Sequence, residues 1–413
     1  MRLASLLAAL ALVGSPVAAL AHPSHGEQTA GWRAVDAETG QIRDLDGLEQ
    51  LALDFPDSGS VRLRLLNAQL AAGDMDAVFE SLAWLKARGH VFSEAARAQI
   101  PQLVGESRAA AAIALLLPEA EPIEASEPIA KVPAEAGLIE SVFAAPQYDK
   151  LVATSVTGQA LWVRDANGWR RVDLAHADDL SGIVSDDEHN IGWVASGNID
   201  GSDDDDALFS GLIGLGPVDI RIYAEAPEGA RISGLTVGPD GTVYASDPLG
   251  GGIYRKRAWA DELNAIFEPG TFRSPQGLAV AEDGARLYLS DYRYGVAVVD
   301  LENGNVSRLL SDVPVLLDGI DGLWLHDGEL IAVQNGTSPM RISAFTLSQD
   351  GTRIIAARVL EQAHPEWTEP LGGSIVDGAL VYVATGQWDR YDKGVPIEGK
   401  PPLPTQIRLL PLD

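Results

Sequence analysis

The sequence predicts an all-β six-bladed β-propeller carrying a small α-helical N-terminal domain. Three observations predict it. A short motif returns six times, at successive intervals of 41 to 52 residues. An apolar run closing on a small or polar residue follows each copy. Before residue 118 the apolar residues take on a helical period instead.

The motif reads Ile-Glu-Ser-Val (139–142), Leu-Ser-Gly-Ile (180–183), Ile-Ser-Gly-Leu (232–235), Pro-Gln-Gly-Leu (275–278), Ile-Asp-Gly-Leu (320–323) and Leu-Gly-Gly-Ser (371–374). The runs that follow include Leu-Val-Ala-Thr-Ser (151–155), Val-Tyr-Ala-Ser-Asp (243–247) and Leu-Tyr-Leu-Ser-Asp (287–291). Short β-runs and turn residues repeating at this length are the signature of propeller blades. The fourth repeat shows the plan. Gly277–Ala281, Leu287–Ser290, Tyr294–Leu301 and Val306–Leu310 read as strands, with turns at Glu282-Asp283-Gly284 and Asn303-Gly304. In such a blade the first strand lines the central channel, so the residue before it stands at the channel mouth. Glu140, Ser181, Ser233, Gln276, Asp321 and Gly372 should therefore converge. Asp247, Asp291 and Asn335 end second strands on the same side. They are further candidates for the mouth, or for Asx caps of the following turns.

Residues 1–21 read as a secretory signal peptide, with Arg2 as the positive region, Leu3–Val13 as the apolar core and Ala19-Leu20-Ala21 as the cleavage site. A periplasmic or secreted location is the expectation. The chain has no cysteine, so stability must come from core burial rather than disulfides. A net charge of −29 argues against nucleic acid and anionic membrane surfaces as partners. Residues 22–43 are expected to be a flexible N-terminus.

Residues 44–117 carry five helical patterns, around Asp46–Phe55, Ser60–Ala72, Met75–Arg88, Ser93–Leu103 and Glu106–Leu117. Gly89 is a stop signal and Ser93 an N-cap. The Gly73-Asp74 turn between two of them resembles tetratricopeptide repeats, and a protein partner on these helices is one expectation. Residues 118–136, rich in proline and glutamate, read as a linker, and 137–413 as the propeller. Three insertions are foreseen. Residues 198–217 contain a run of aspartates with a possible Ca²⁺ site, although a solvated loop is the commoner meaning of such a run. Residues 255–269 look helical around Trp259. Residues 386–405 form a long loop able to cover the mouth. The segment Ile407–Leu412 is expected to supply the last strand.

The six-repeat ring with a carboxylate before its first strand resembles the senescence-marker-protein/gluconolactonase family, which includes regucalcin. The resemblance covers about residues 137–413. It implies a divalent cation at the mouth (Ca²⁺, Mn²⁺ or Zn²⁺) held by Glu140, Ser233, Gln276 and Asp321, with Asp321 also the general base of lactone or ester hydrolysis. Ser233 and Gln276 stand where the family has asparagine. No histidine occupies a mouth position, and no G-x-S-x-G elbow is present. A non-catalytic scaffold that binds a small polar ligand or a protein is the alternative.

Overall fold

The computed structural model describes residues 31–145, 150–202, 208–217 and 221–413. The expected signal peptide, residues 22–30 of the stretch expected to be flexible and Asp203–Asp206 of the aspartate run lie outside the described residues; residues 31–43, expected to be flexible too, are packed, with Val35 fully buried beside Phe55. Among those described, no helix is long and apolar enough to cross a membrane.

Each repeat folds as an antiparallel blade. Blade one is Ile139–Ala145, Lys150–Ser155, Ala160–Asp165 and Gly168–Asp173. Blade two is Leu180–Asp186, Ile191–Ser196, Gly211–Leu215 and Arg221–Glu225. Blade three is Leu235–Val237, Val243–Ser246, Ile253–Lys256 and Asn264–Phe267. Blade four is Pro275–Val280, Arg286–Asp291, Gly295–Asp300 and Val306–Arg308. Blade five is Gly322–His326, Glu329–Gln334, Arg341–Leu347 and Arg353–Gln362, with Leu310–Ser311 added parallel at its outer edge. Blade six holds Gly373–Val376, Ala379–Val383 and Thr405–Pro411. The first strands touch in ring order, and that of blade six returns to that of blade one. Apolar clusters fill the wedges between blades, as between blades four and five around Tyr288, Leu323 and Phe345.

A hydroxyl near the end of the second strand has a clear use in blades one, three and four. Thr154 Oγ1 donates to the Ser181 carbonyl at 2.6 Å, Ser246 Oγ to Gln276 at 2.7 Å and Ser290 Oγ to Ile320 at 3.1 Å. Each bond ties one blade to the mouth segment of the next. The motif glycine answers the same crowding. A Cβ on Gly182 or Gly234 would lie 2.3 Å from a carbonyl oxygen of the following blade.

Three expectations are corrected. Residues 264–267 are a strand, not part of a helix, because the third strand of blade three needs a partner along its open edge. Trp259 stands in the turn before it, 87% exposed. Residues 198–217 are not all insertion, since Gly211–Leu215 is a blade strand. The stretch expected to be a linker holds Glu127–Val132, which is the outer strand of blade six and pairs antiparallel with Thr405–Pro411. The Thr405–Pro411 strand is therefore third in its blade, not last. Pro128 is tolerated because it sits on an edge strand beside a bulge. Val132 and Ile129 pack with Ile139, Val142, Trp162 and Ile407.

A buried polar clasp reinforces that seam. Ser126 Oγ donates to Glu361 Oε1 at 2.7 Å, and Tyr382 Oη donates to Glu361 Oε2 at 2.8 Å. Arg408 donates from Nε to Ser126 Oγ and from Nη2 to the Ser126 carbonyl, both at 2.7 Å. Glu361 is fully buried, and these donors satisfy its oxygens.

The five expected helices are present: α1 Leu45–Asp54, α2 Gly59–Ala72, α3 Met75–Ala87, α4 Glu94–Leu103 and α5 Glu106–Leu115. Ser93 caps α4, accepting from the Ala96 N–H, and Gly73 ends α2 in the left-handed region. The helices rest on the mouth side of blades four and five, and residues 31–413 form one compact unit. Asp318 of the propeller caps α2. It accepts from the N–H groups of Gly59 and Ser60 at 2.8 and 2.7 Å and from Ser60 Oγ at 2.6 Å. Tyr294 of blade four packs into the helical core with Phe55, Leu48 and Val61. Arg341 donates to the carbonyls of Arg88 and Gly89 at the end of α3.

A chain beginning at residue 137 would lack the outer strand of blade six and the Ser126 clasp. Its melting temperature should fall by at least about 10 °C, or the chain should fail to fold. Thermal unfolding followed by circular dichroism checks this. Equal melting of the two chains would mean that the seam contributes nothing.

Candidate functional site

The six repeats do bring their mouth residues to one channel. Its wall holds Glu140, Ser233, Gln276, Asp321 and Gly372, with Leu235, Leu278, Leu323 and Trp324 deeper in. The free space is about 520 Å³, including its open end. A polar, acidic ring thus sits above an apolar throat. Ser181 is the exception among the six. It is fully buried in the wall, and Gly182 takes its place in the lining.

Glu140 and Asp321 line the same channel, and Glu140 feels the charge of Asp321. Burial drives Glu140 well above the usual carboxylate range, and Asp321 adds to this. Trp388 opposes it, donating from Nε1 to Glu140 Oε2 at 2.7 Å. Burial, followed by the charge of Glu369, pushes Asp321 up to about 7. No hydrogen bond reaches the Asp321 carboxylate from the described residues. Gln276 donates from Nε2 to Ser274 Oγ at 3.4 Å, which keeps its amide oxygen available as an acceptor.

Sequence reasoning missed two members of this site. Glu369 enters the field of both carboxylates, and its own proton affinity is raised by burial and then by Asp389. Trp388 was foreseen only as part of a loop able to cover the mouth. Its indole holds Glu140 while its backbone N–H faces Glu369. No repeat marks either residue, because both belong to the non-repeating part of blade six.

The loop around Trp388 is held from a distance. Trp388 and Tyr391 pack on Leu138, Val156 and Ile199. Ile199 is fixed in turn by Asp179, whose Oδ2 accepts from the N–H groups of Ile199 and Asp200, both at 2.9 Å. The chain of support therefore runs from blade two across blade one to Glu140.

Asp247, Asp291 and Asn335 do not line the channel. Asp247 accepts from the N–H groups of Arg231, Leu249 and Gly250, and Asp291 from those of Arg273, Ser274 and Arg293. Both are buried and fasten turns, the Asx role. Asn335 Oδ1 accepts from Tyr292 Oη at 2.7 Å. The Tyr292 hydroxyl is held protonated by burial and then by the charges of Asp321 and Glu369.

The fit to a cation can be judged from the donors. Among the described residues no group of three or more His, Cys, Asp or Glu is arranged to hold a metal ion. A cation here would rest on two carboxylates, an amide oxygen and a hydroxyl. That all-oxygen set suits a hard ion such as Ca²⁺ or Mn²⁺ better than Zn²⁺.

No family model matches the chain, and no curated protein matches it. Solved structures do share the architecture. One is the calcium-binding protein regucalcin from Agrobacterium tumefaciens, at 15% identity and a TM-score of 0.47, covering 68% of this chain and 94% of that one. A gluconolactonase from Xanthomonas campestris has 14% identity and a TM-score of 0.46, covering 72% and 99%. A virginiamycin B lyase from Staphylococcus aureus has 12% identity and a TM-score of 0.48, covering 68% and 98%. Likenesses this distant carry no function across, and the reading below rests on the site's own residues.

Asp179 supplies a pH prediction. Burial and the neighbouring charges of Asp200 and Asp178 push it up to about 8, against the two N–H donors. Its folded-state affinity for a proton exceeds the unfolded one. Stability should therefore fall as pH rises from about 4 to about 8 and level off above. Asp247, Asp291 and Asp318 are raised by burial and act in the same sense. Asp179→Asn keeps an acceptor oxygen and cannot ionise, so it should flatten the decline by roughly 2 kcal/mol. Denaturant unfolding at pH 5 and pH 8 measures it, and parallel curves for both proteins would refute the assignment.

Proposed function

We propose that this chain is a hydrolase of lactones or esters that works with a divalent cation at the channel mouth. The observation that carries the reading is Asp321. It is an enclosed carboxylate that no hydrogen-bond donor among the described residues satisfies, and its charge reaches Glu140 in the same channel. Two such groups in a partly dry site need a cation or a shared proton. Glu140 and Asp321 would supply the charge, and Gln276 and Ser233 neutral oxygens. The bound ion would polarise the substrate carbonyl and acidify a water.

The protein's own groups have separable tasks in this reading. Trp388 keeps Glu140 in one orientation by its 2.7 Å bond. Asp321, with no competing donor and a proton affinity near neutrality, takes a proton from water. The throat formed by Leu235, Leu278, Leu323 and Trp324 would receive an apolar portion of the substrate. The distribution of charge around the ring also supports a second reading, a non-catalytic site for a small cationic ligand. Glu140 feels the charges of Asp321 and Glu369, and among the described residues no Lys or Arg lines the channel.

Adding Ca²⁺ or Mn²⁺ to metal-stripped protein should raise its melting temperature. The gain corresponds to about 2.7 kcal/mol at a hundredfold excess over the dissociation constant. Asp321→Asn should remove the rise and lower hydrolysis of a simple lactone at least about 100-fold. A melting temperature indifferent to both ions would defeat the cation reading. A rise without any hydrolysis would leave the binding scaffold as the function.

A further inference from the structure

A second charged feature lies on the mouth side of the ring, opposite in sign to the first. The groove between α1–α2 and blade four is lined by Arg43, Arg64, Arg273 and Arg293, and among the described residues no Asp or Glu is in its lining. Its free space is about 1530 Å³, including the open side. The chain has 59 acidic residues to 30 basic ones, so an acid-free set of four arginines runs against its composition.

The arginines elsewhere show the usual behaviour. Arg33 pairs with Asp54, Arg88 with Asp57, Arg353 with Asp312, Arg358 with Glu329 and Arg408 with Glu366. None of the four in the groove forms an ion pair with a carboxylate among the described residues, although the charge of Arg273 is felt by Asp291. Arg64 is braced in place, donating from Nη2 to the carbonyls of Thr39 and Ile42 at 3.2 and 2.8 Å. Arg43 donates from Nη1 to Gly40 and Ile42. The guanidinium groups of Arg273 and Arg293 make no hydrogen bond to any described residue. The carboxylate behind them, Asp291, is already occupied by the N–H groups of Arg273, Ser274 and Arg293.

Tyr294 adds an independent pointer. It lines the groove and is only 2% exposed. Its buried hydroxyl lies beside the Arg64 guanidinium but has no hydrogen-bond partner of good geometry. A buried hydroxyl without an acceptor is costly, and an anion in the groove would supply one.

We propose that this groove binds a small, multiply charged oxyanion, a phosphate or polycarboxylate group, on Arg43, Arg64, Arg273 and Arg293, with the Tyr294 hydroxyl as a further donor. Guanidinium groups suit this ligand because each offers paired N–H donors that match two oxygens of a carboxylate or phosphate. The site is separate from the acidic channel and does not depend on the hydrolase reading.

The test titrates metal-stripped full-length protein, at low ionic strength, with inorganic phosphate and separately with succinate, reading heat by calorimetry. Saturable binding of at least one probe is expected, with a dissociation constant of about a millimolar or below. Arg273→Gln with Arg293→Gln should weaken it at least about tenfold. Asp321→Asn should leave it unchanged, which separates this site from the channel. Binding of phosphate alone assigns a phosphoryl ligand, and binding of succinate alone a polycarboxylate. Both of the mutated arginines are exposed, so the double variant should melt with the parent. Should it melt lower, Arg43→Gln serves in its place and should also weaken binding. Absence of binding by both probes, or variants that bind as tightly as the parent, would overturn the proposal.

Discussion

Everything at the mouth depends on the closing of the ring between blades six and one. Open sheets expose a row of unpaired backbone groups at each edge, and a propeller shortens that liability by bringing its ends together. Here the closure is an antiparallel pairing of Glu127–Val132 with Thr405–Pro411, backed by the buried contacts of Glu361 with Ser126 and Tyr382. Glu140 lies on one side of this seam and Trp388 on the other. Their hydrogen bond exists only because the seam is shut.

The chemistry of the mouth follows from what closure puts together. Carboxylates that would each be ordinary on a surface become neighbours in a partly dry ring. Burial raises the proton affinity of Glu140, Asp321 and Glu369, and neighbouring carboxylates raise it further: Asp321 and Glu369 act on Glu140, Glu369 on Asp321, and Asp389 on Glu369. A single indole N–H moderates one of them. The surrounding layers serve this arrangement. Asp179 fastens the loop of Ile199, on which Trp388 packs, and Asp318 fastens α2 beside blades four and five. Several of these fastenings are themselves buried acids, so the molecule spends stability on geometry near its mouth.

The ring was legible in the sequence because each blade repeats a local demand. In three blades a hydroxyl reaches the next, as Thr154, Ser246 and Ser290 do, and the motif glycine admits a neighbouring carbonyl, as at Gly182 and Gly234. Demands met once leave no such period. Glu127–Val132 carries Pro128 and two charged residues, so alone it reads as linker, and its partner strand is far away in the chain. Asn264–Phe267 is a strand because the edge of Ile253–Lys256 required one, which local pattern does not reveal. Of the candidate site, the repeat located Glu140, Ser233, Gln276 and Asp321 together. Glu369 and Trp388 escaped notice because the blade-six loop has no counterpart elsewhere. Asp247 and Asp291 ended their strands as expected, yet they serve turns rather than the channel.

The seam also sets a schedule. Ser126 and Arg408, which meet in the clasp, are 282 residues apart in sequence. At ordinary synthesis rates of about 5 to 20 residues per second, the outer strand of blade six emerges roughly 15 to 60 s before the strand that receives it. Through that interval Ile129 and Val132 have only the blade-one side of their core, lacking Val381, Val383 and Ile407, and blades one to five form an open arc with a free edge at each end. The chain thus spends most of its birth as the kind of structure that a finished propeller avoids. Its last event is the pairing of its least strand-like segment, edged with charge and broken by Pro128, features that keep such an edge from joining the wrong partner while it waits.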